Sequence, residues 1–357
     1  MWGHRMTEFE ISICLDKNIF LEKMERNITY YKDDYKDHVV FNGNDIKITG
    51  NRARKIQLDD ALFTTQSTYY QDIVKSLLFS YFSHGEFKII EIGMSVGEET
   101  KVVKQENLLQ KFSFRFNKNI IRNADPLEVL FKNDEESEVL MKSLMYLVTS
   151  FNGDENRFDN LWKSFNVLIK KISGQGSDWD MLVGYKMYLL ENEAKFINTL
   201  GFIEKTIDSN YLETCRISAM INNNHPQLDT EKKVKNFKER LLLNYNDKRI
   251  CSILKEKMIV KKKRLKADTF SEIEKELDRR IAREIVDDTD VIRFLVLKYM
   301  YYLRCKYFHG EKWANKFLYA NQDSDELDRM SILLEIHIGD IIQVEFNNNH
   351  NLSYLTT

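Results

Sequence analysis

Proline and glycine are scarce, 2 and 13 residues in a chain of 357. So few breakers are hard to reconcile with a turn-rich all-β protein and point to helix. Cysteine is scarce as well. The four thiols, Cys14, Cys215, Cys251 and Cys305, lie far apart and match no zinc-ligand or redox spacing. The expectation is a reduced, intracellular protein with no metal site and no cofactor. An excess of one charge is also missing: 53 Lys and Arg face 55 Asp and Glu, for a net charge of -2. No global attraction to nucleic acid follows, so any RNA contact falls to local patches. No run approaches the roughly 18 uncharged apolar residues of a membrane span. The segment Met1–Glu10 lacks the apolar core of a secretory leader. A cytoplasmic protein without a membrane contact is therefore expected.

What is present is enough hydrophobic residue, 43%, to bury a sizeable core, over a length that fits two domains. The expected fold class is mainly α: a helical bundle over residues 135–357 with a smaller mixed α/β domain over residues 1–134. In the first part Val39–Phe41, Asp45–Thr49, Phe87–Ile92 and Lys111–Phe116 read as strands. Asn42-Gly43-Asn44 reads as a hairpin turn, and Thr65–Phe82 as a helix. Asn123–Pro126 breaks the pattern, and Asn133–Glu136 opens a polar helix start, which puts the boundary near residue 134. Beyond it the helices expected are Glu138–Thr149, Phe158–Ile172, a long one from the loop Ser173–Asp178 through Ile207, Asp229–Asn244, Phe270–Val286 and Asp288–Phe308. A last one opens at a capping box, Asp323–Glu326, and runs to about Val344.

The helix from Asp288 holds the chemistry. Val291–Leu303 is apolar on more than one face, as expected of a helix inside a bundle. At its end stands Arg304-Cys305-Lys306-Tyr307-Phe308-His309-Gly310. A permanently charged guanidinium and a near-neutral imidazole sit about one turn apart, beside a glycine suited to ending the helix. An imidazole can move the protons of a ribose 2′-hydroxyl and of the leaving oxygen. An arginine can hold phosphate oxygens as their charge grows.

These residues resemble the signature of the HEPN superfamily, an Arg, four to six residues, then a His, most closely the Arg-Cys-x-x-Phe-His-Gly form of its Apea-like branch. A second match, Leu161-Trp162-Lys163-Ser164-Phe165-Asn166-Val167-Leu168, is similar to the Leu-Trp-x-x-Phe-Asn-x-Leu helix that opens the same domain there. The resemblance covers roughly residues 135–350. It implies a helical bundle that dimerises, joining two Arg/His pairs in one composite cleft, and RNA cleavage without a metal in many members. It makes Arg304 and His309 catalytic, with Asn166, Cys305, Lys306, Tyr307 and Gly310 supporting the site. The position after the arginine, usually polar in the family, is Cys305 here.

Other candidates have plainer readings. Lys261-Lys262-Lys263-Arg264 is the densest basic cluster; with Lys312 it is a weak RNA-binding candidate, against the commoner reading of a solvated helix face blunted by Glu272, Glu274 and Glu276. His84-Gly85-Glu86 copies the local text of His309-Gly310-Glu311 but has no arginine four to six residues before it. His225 fits an exposed turn and His337 a packed or dimer-facing position. Trp162 and Phe165 are core by spacing. Tyr299, Tyr301, Tyr302 and Tyr307 are core or interface, one of them able to offer a ring to a base. The functional expectation is a metal-independent endoribonuclease, a toxin or antiviral effector. It would leave 2′,3′-cyclic phosphate and 5′-hydroxyl ends, act as a homodimer on RNA, and meet a regulatory partner or activator through residues 1–134. The alternative is an inactive helical RNA-binding or protein-interaction module.

Overall fold

The structure, a computed structural model, describes residues 6–29, 36–112, 120–152, 156–308 and 322–347. It is mainly α, with one antiparallel sheet near the N-terminus. Two compact units divide the chain: residues 1–171 with 341–357, and residues 172–340. Their limits fall inside helices, at positions other than the break near residue 134.

The first unit is built on six strands: β1 (Thr7–Leu15), β2 (Phe20–Thr29), β3 (Lys36–Gly43), β4 (Asp45–Arg52), β5 (Ile89–Val96) and β6 (Glu99–Lys104), in the order β2-β3-β4-β1-β5-β6. Alternation sets the buried face, with Ile11, Ile13, Leu15, Val39, Phe41, Ile46 and Ile48 all inside. The β3–β4 turn is the expected one. Asn42 pairs with Asp45 across Gly43-Asn44, and Gly43 takes the φ of +64° that a two-residue hairpin turn requires. Of the expected strand Lys111–Phe116, Phe112 forms an isolated bridge to Phe87; residues 113–119 lie outside the described residues.

Helices α1 (Leu58–Phe63), α2 (Thr68–His84), α3 (Glu135–Ser150) and α4 (Arg157–Ser173) complete this unit. Ser67 caps α2 and Asp134 caps α3 by accepting from the backbone N–H three residues on. Phe79 of α2 packs on Phe41 (5.4 Å between centroids) and on Phe131 (5.0 Å) of the 3-10 turn Asp125–Phe131. The turn is tied to α3 by Ser137, whose hydroxyl donates to Leu130 O (2.9 Å), and Lys75 of α2 donates to Lys132 O (3.0 Å). The Ser137 bond thus ties the two sides of residue 134 together. A buried ion pair stiffens the sheet. Arg52 grips Asp37 with two bonds of 2.7 and 2.5 Å and lies over the rings of Phe9 and Tyr69.

The second unit is all helix among the described residues: α5 (Asp178–Glu191), α6 (Ile197–Thr206), α7 (Ser209–Glu213), α8 (Ile217–Asn224), α9 (Glu231–Phe237), α10 (Lys248–Lys257), α11 (Ala267–Ile281), α12 (Asp288–Phe294), α13 (Tyr301–Phe308) and α14 (Gln322–Glu345) through Asp340. The expected long helix through Ile207 is two. It stops at Asn192, passes a 3-10 turn (Glu193–Lys195), and restarts where the Asp340 carboxylate accepts from Thr199 N (2.7 Å) and Asn198 N (3.4 Å). The expected Asp229–Asn244 helix shortens to α9 and a π-helical segment, Lys238–Leu242. A second π segment, Leu295–Met300, joins α12 to α13 into one continuous helical run, so the expected helix Asp288–Phe308 is present with a local change of pitch. Among the described residues no helix is long and apolar enough to cross a membrane.

Candidate functional site

The helix carrying Arg304 is buried for the reason its sequence suggests: Val291, Ile292, Phe294, Leu295, Val296, Tyr299, Met300 and Leu303 point inward on every side. Asp287 starts it, accepting from Asp290 N at 3.0 Å. Tyr299 is anchored in the core, its hydroxyl hydrogen-bonded to Glu326 and accepting from Arg216 N (2.6 Å). Burial first, and then Glu326, push the Tyr299 phenol far above its ordinary range.

Arg304 itself is partly open, its side chain 20% exposed, and Nη1 lies 3.1 Å from Oδ2 of Asp178. Asp178 is the first residue of α5, which Ser177 caps by accepting from Asp180 N (3.2 Å). The next residue, Trp179, receives a second cation from the motif helix. Lys298 Nζ lies 4.7 Å from the centroid of the indole ring, within cation–π range. Two successive residues at the head of α5 thus meet two cations of the run that leads to the motif. Tyr301 and Cys305 lie on α13 between and beside them. Burial, then the Cys305 thiol and Asp178, raise the Tyr301 phenol, while Arg304 pulls it back.

The surroundings of Lys298 are electropositive. Burial lowers its pKa to about 8, and the positive charges of Lys186, Arg240 and Arg293 add to the shift. Arg293 is paired with Asp290 (2.5 Å). Lys186, Arg240 and Lys298 make no salt bridge among the described residues, and the carboxylate that acts on Lys186 is the same Asp290 that Arg293 already holds. His225 belongs to the same neighbourhood. Its ring packs on Phe237 (5.0 Å), and burial, then Lys261 and Lys298, lower its pKa to about 4. It is a half-buried neutral imidazole, where the sequence suggested only an exposed turn.

Arg304, Cys305, Lys306 and Tyr307 all stand half-buried on α13. His309, Gly310 and Lys312 lie outside the described residues. Asn166 sits half-buried on α4 in the first unit, and its side chain makes no hydrogen bond to another described residue; its neighbours Trp162 and Phe165 are core. The basic cluster divides. Lys261 is fully buried, with no hydrogen-bond partner for its ammonium among the described residues, whereas Lys262, Lys263 and Arg264 are exposed on the 3-10 segment Met258–Arg264. His84 ends α2 against the ring of Phe20 (5.1 Å), with Gly85 at φ +97°. His337 is a core histidine of the second unit. Asp178, Trp179, Lys186, Arg240 and Lys298 were not singled out from sequence. Trp179 was the findable one, a large aromatic directly after a helix cap.

Among the described residues no group of three or more His, Cys, Asp or Glu side chains is placed to hold a metal ion. No family model, no curated protein and no solved structure matches the chain.

Proposed function

We propose that the chain is a metal-independent endoribonuclease of HEPN type, a toxin or antiviral effector that works as a homodimer, with residues 1–134 meeting a trigger or partner. The observation that supports this most is Arg304: a permanently charged guanidinium, oriented by Asp178 at 3.1 Å and still one-fifth exposed, at the end of a helix that is otherwise core. In this reading Arg304 binds the non-bridging oxygens of the scissile phosphate as charge builds on them. His309 of one subunit takes the proton of the 2′-hydroxyl, whose oxygen forms the new bond to phosphorus. His309 of the other gives a proton to the 5′-oxygen as the P–O5′ bond breaks. A 2′,3′-cyclic phosphate and a 5′-hydroxyl result, with protons and charge balanced.

One observation favours a second reading. The Asp178 carboxylate already pairs with Arg304, which is what a structural arginine in a non-catalytic RNA-binding or interaction module also needs. The two separate in one assay. Purified full-length protein is incubated with total RNA in EDTA, next to Arg304→Ala and His309→Ala. The nuclease reading expects cleavage by the wild type and loss of about a hundredfold or more in both variants, with unchanged circular dichroism. Wild-type cleavage by well-folded His309→Ala overturns it. An Arg304→Ala protein that unfolds assigns Arg304 to the structure.

A further inference from the structure

Several half-buried cations of the second unit have an answering carboxylate: Arg216 has Glu326, Arg249 has Asp247 and Asp288, and Arg293 has Asp290. A lone lysine in water needs no such partner. Lys298 is different, because it is half-buried and three other cations converge on it. Only the one nearest Asp290 is paired, and that carboxylate is itself buried and also accepts from Asn246 N (2.6 Å). One carboxylate is thus shared by four cations, acting on Lys186 as well as on Arg293, and an excess of positive charge lowers the free energy of a bound polyanion. Beside them the Trp179 ring is 43% exposed, with Lys298 above it and Asp178, its neighbour in sequence, on Arg304.

We propose that Lys186, Arg240 and Lys298, together with the Trp179 ring, bind a single-stranded RNA: the three cations take consecutive backbone phosphates and Trp179 stacks a base. This deepens the ribonuclease reading, on which it rests for the choice of RNA as the polyanion. A strand held here runs toward Arg304 through the head of α5. Stacking on an indole tolerates any base, and the phosphate contacts carry no sequence information, so the site positions the strand without selecting its sequence. An acidic peptide would answer the cations but leave the ring without a role.

The test uses the full chain carrying His309→Ala, so that binding is read without turnover, and a fluorescent 12-nucleotide oligoribonucleotide titrated by anisotropy over a salt series. With about 0.7 counterions released per phosphate contact, Lys186→Gln, Arg240→Gln and Lys298→Gln together should lower the slope of log affinity against log salt by about 2. Trp179→Ala should weaken binding roughly 5- to 150-fold with the slope unchanged, and Trp179→Phe should restore most of it. Arg240→Gln alone, at an exposed position, should remove about one-third of the slope change and guards against misfolding of the triple variant. Unaltered affinity and slope in folded variants overturn the proposal. So does adenosine monophosphate binding as tightly as the oligonucleotide. Loss of dimer in sedimentation with RNA affinity intact also overturns it, and gives α5, with its exposed Val183 and Met187, to a second copy. Failure of the nuclease reading looks different: the wild type binds RNA with this salt and tryptophan dependence but does not cut it.

Discussion

His337 should make the second unit acid-sensitive in a way that one substitution removes. The imidazole is fully buried and its two nitrogens are both engaged, Nε2 with the Tyr185 hydroxyl at 2.6 Å and Nδ1 with Thr199 Oγ1 at 3.2 Å. The Thr199 hydroxyl has an acceptor in Asp340 Oδ2 at 2.8 Å. The donors therefore run one way: Nδ1–H donates to Thr199, Thr199 donates to Asp340, and Tyr185 donates to Nε2. That chain uses the neutral ring. Burial holds the pKa down at about 3, against about 6.5 for an unfolded histidine. Below pH 6.5 the unfolded chain binds a proton that the folded one refuses, so stability falls with pH at about 1.4 kcal/mol per unit until the folded pKa is reached. Between pH 6.5 and 4.5 the loss is about 2 kcal/mol from this residue. His225, held at about 4, adds a loss of the same sign. Urea unfolding of the wild type and of His337→Gln at steps from pH 7 to 4.5 isolates the contribution, because His225 and the carboxylates are common to both. The glutamine variant should be less stable at neutral pH and then show a flatter acid limb. Parallel pH profiles, or a His337 ring signal that titrates near 6.5 by NMR, would refute the reasoning.

Three further outcomes are expected. Asp178→Asn should lower RNA cleavage by tenfold or more through loss of the hold on Arg304, while stability changes by only about 1 kcal/mol, because the pair is partly exposed; an unchanged rate in the folded variant removes Asp178 from the site. Sedimentation velocity should find the active species to be a dimer, since each chain has one Arg304/His309 pair and the proposed reaction has two proton transfers; an active monomer contradicts this. Gly50→Ala should destabilise the sheet by about 3 kcal/mol, measured in urea, because its Cβ would overlap Oδ1 of Asp37 and force open the buried pair with Arg52; a loss below about 0.5 kcal/mol would show that the pair relaxes freely.

How much of this was legible depended on whether the cause was local. Few breakers and a 3.6-residue apolar period are local properties, so α2, α4 and the Asp288–Phe308 run lie close to where the sequence puts them, as does the β3–β4 turn. The strand β2 was missed for an equally physical reason. Only its ends, Phe20 and Ile28, are buried, and its middle is charged, as suits a strand at the edge of a sheet. The break before α6 depends on a carboxylate 141 residues further along the chain, Asp340 on Thr199, which no window of sequence contains. The same holds at the site. Arg304 was conspicuous because a charge at the end of an apolar helix breaks a local pattern, whereas Asp178 and Trp179 sit at a helix start, where an acidic residue is ordinary. Their roles come from what the motif helix brings to them, Arg304 on one and Lys298 on the other. Sequence could thus name the group with the charge, but the groups that orient it and extend its field toward a strand are defined only by tertiary packing. The pair Arg304–Asp178 and the cations Lys186, Arg240 and Lys298 are accordingly where substitutions should first separate a nuclease from a helical bundle that merely resembles one.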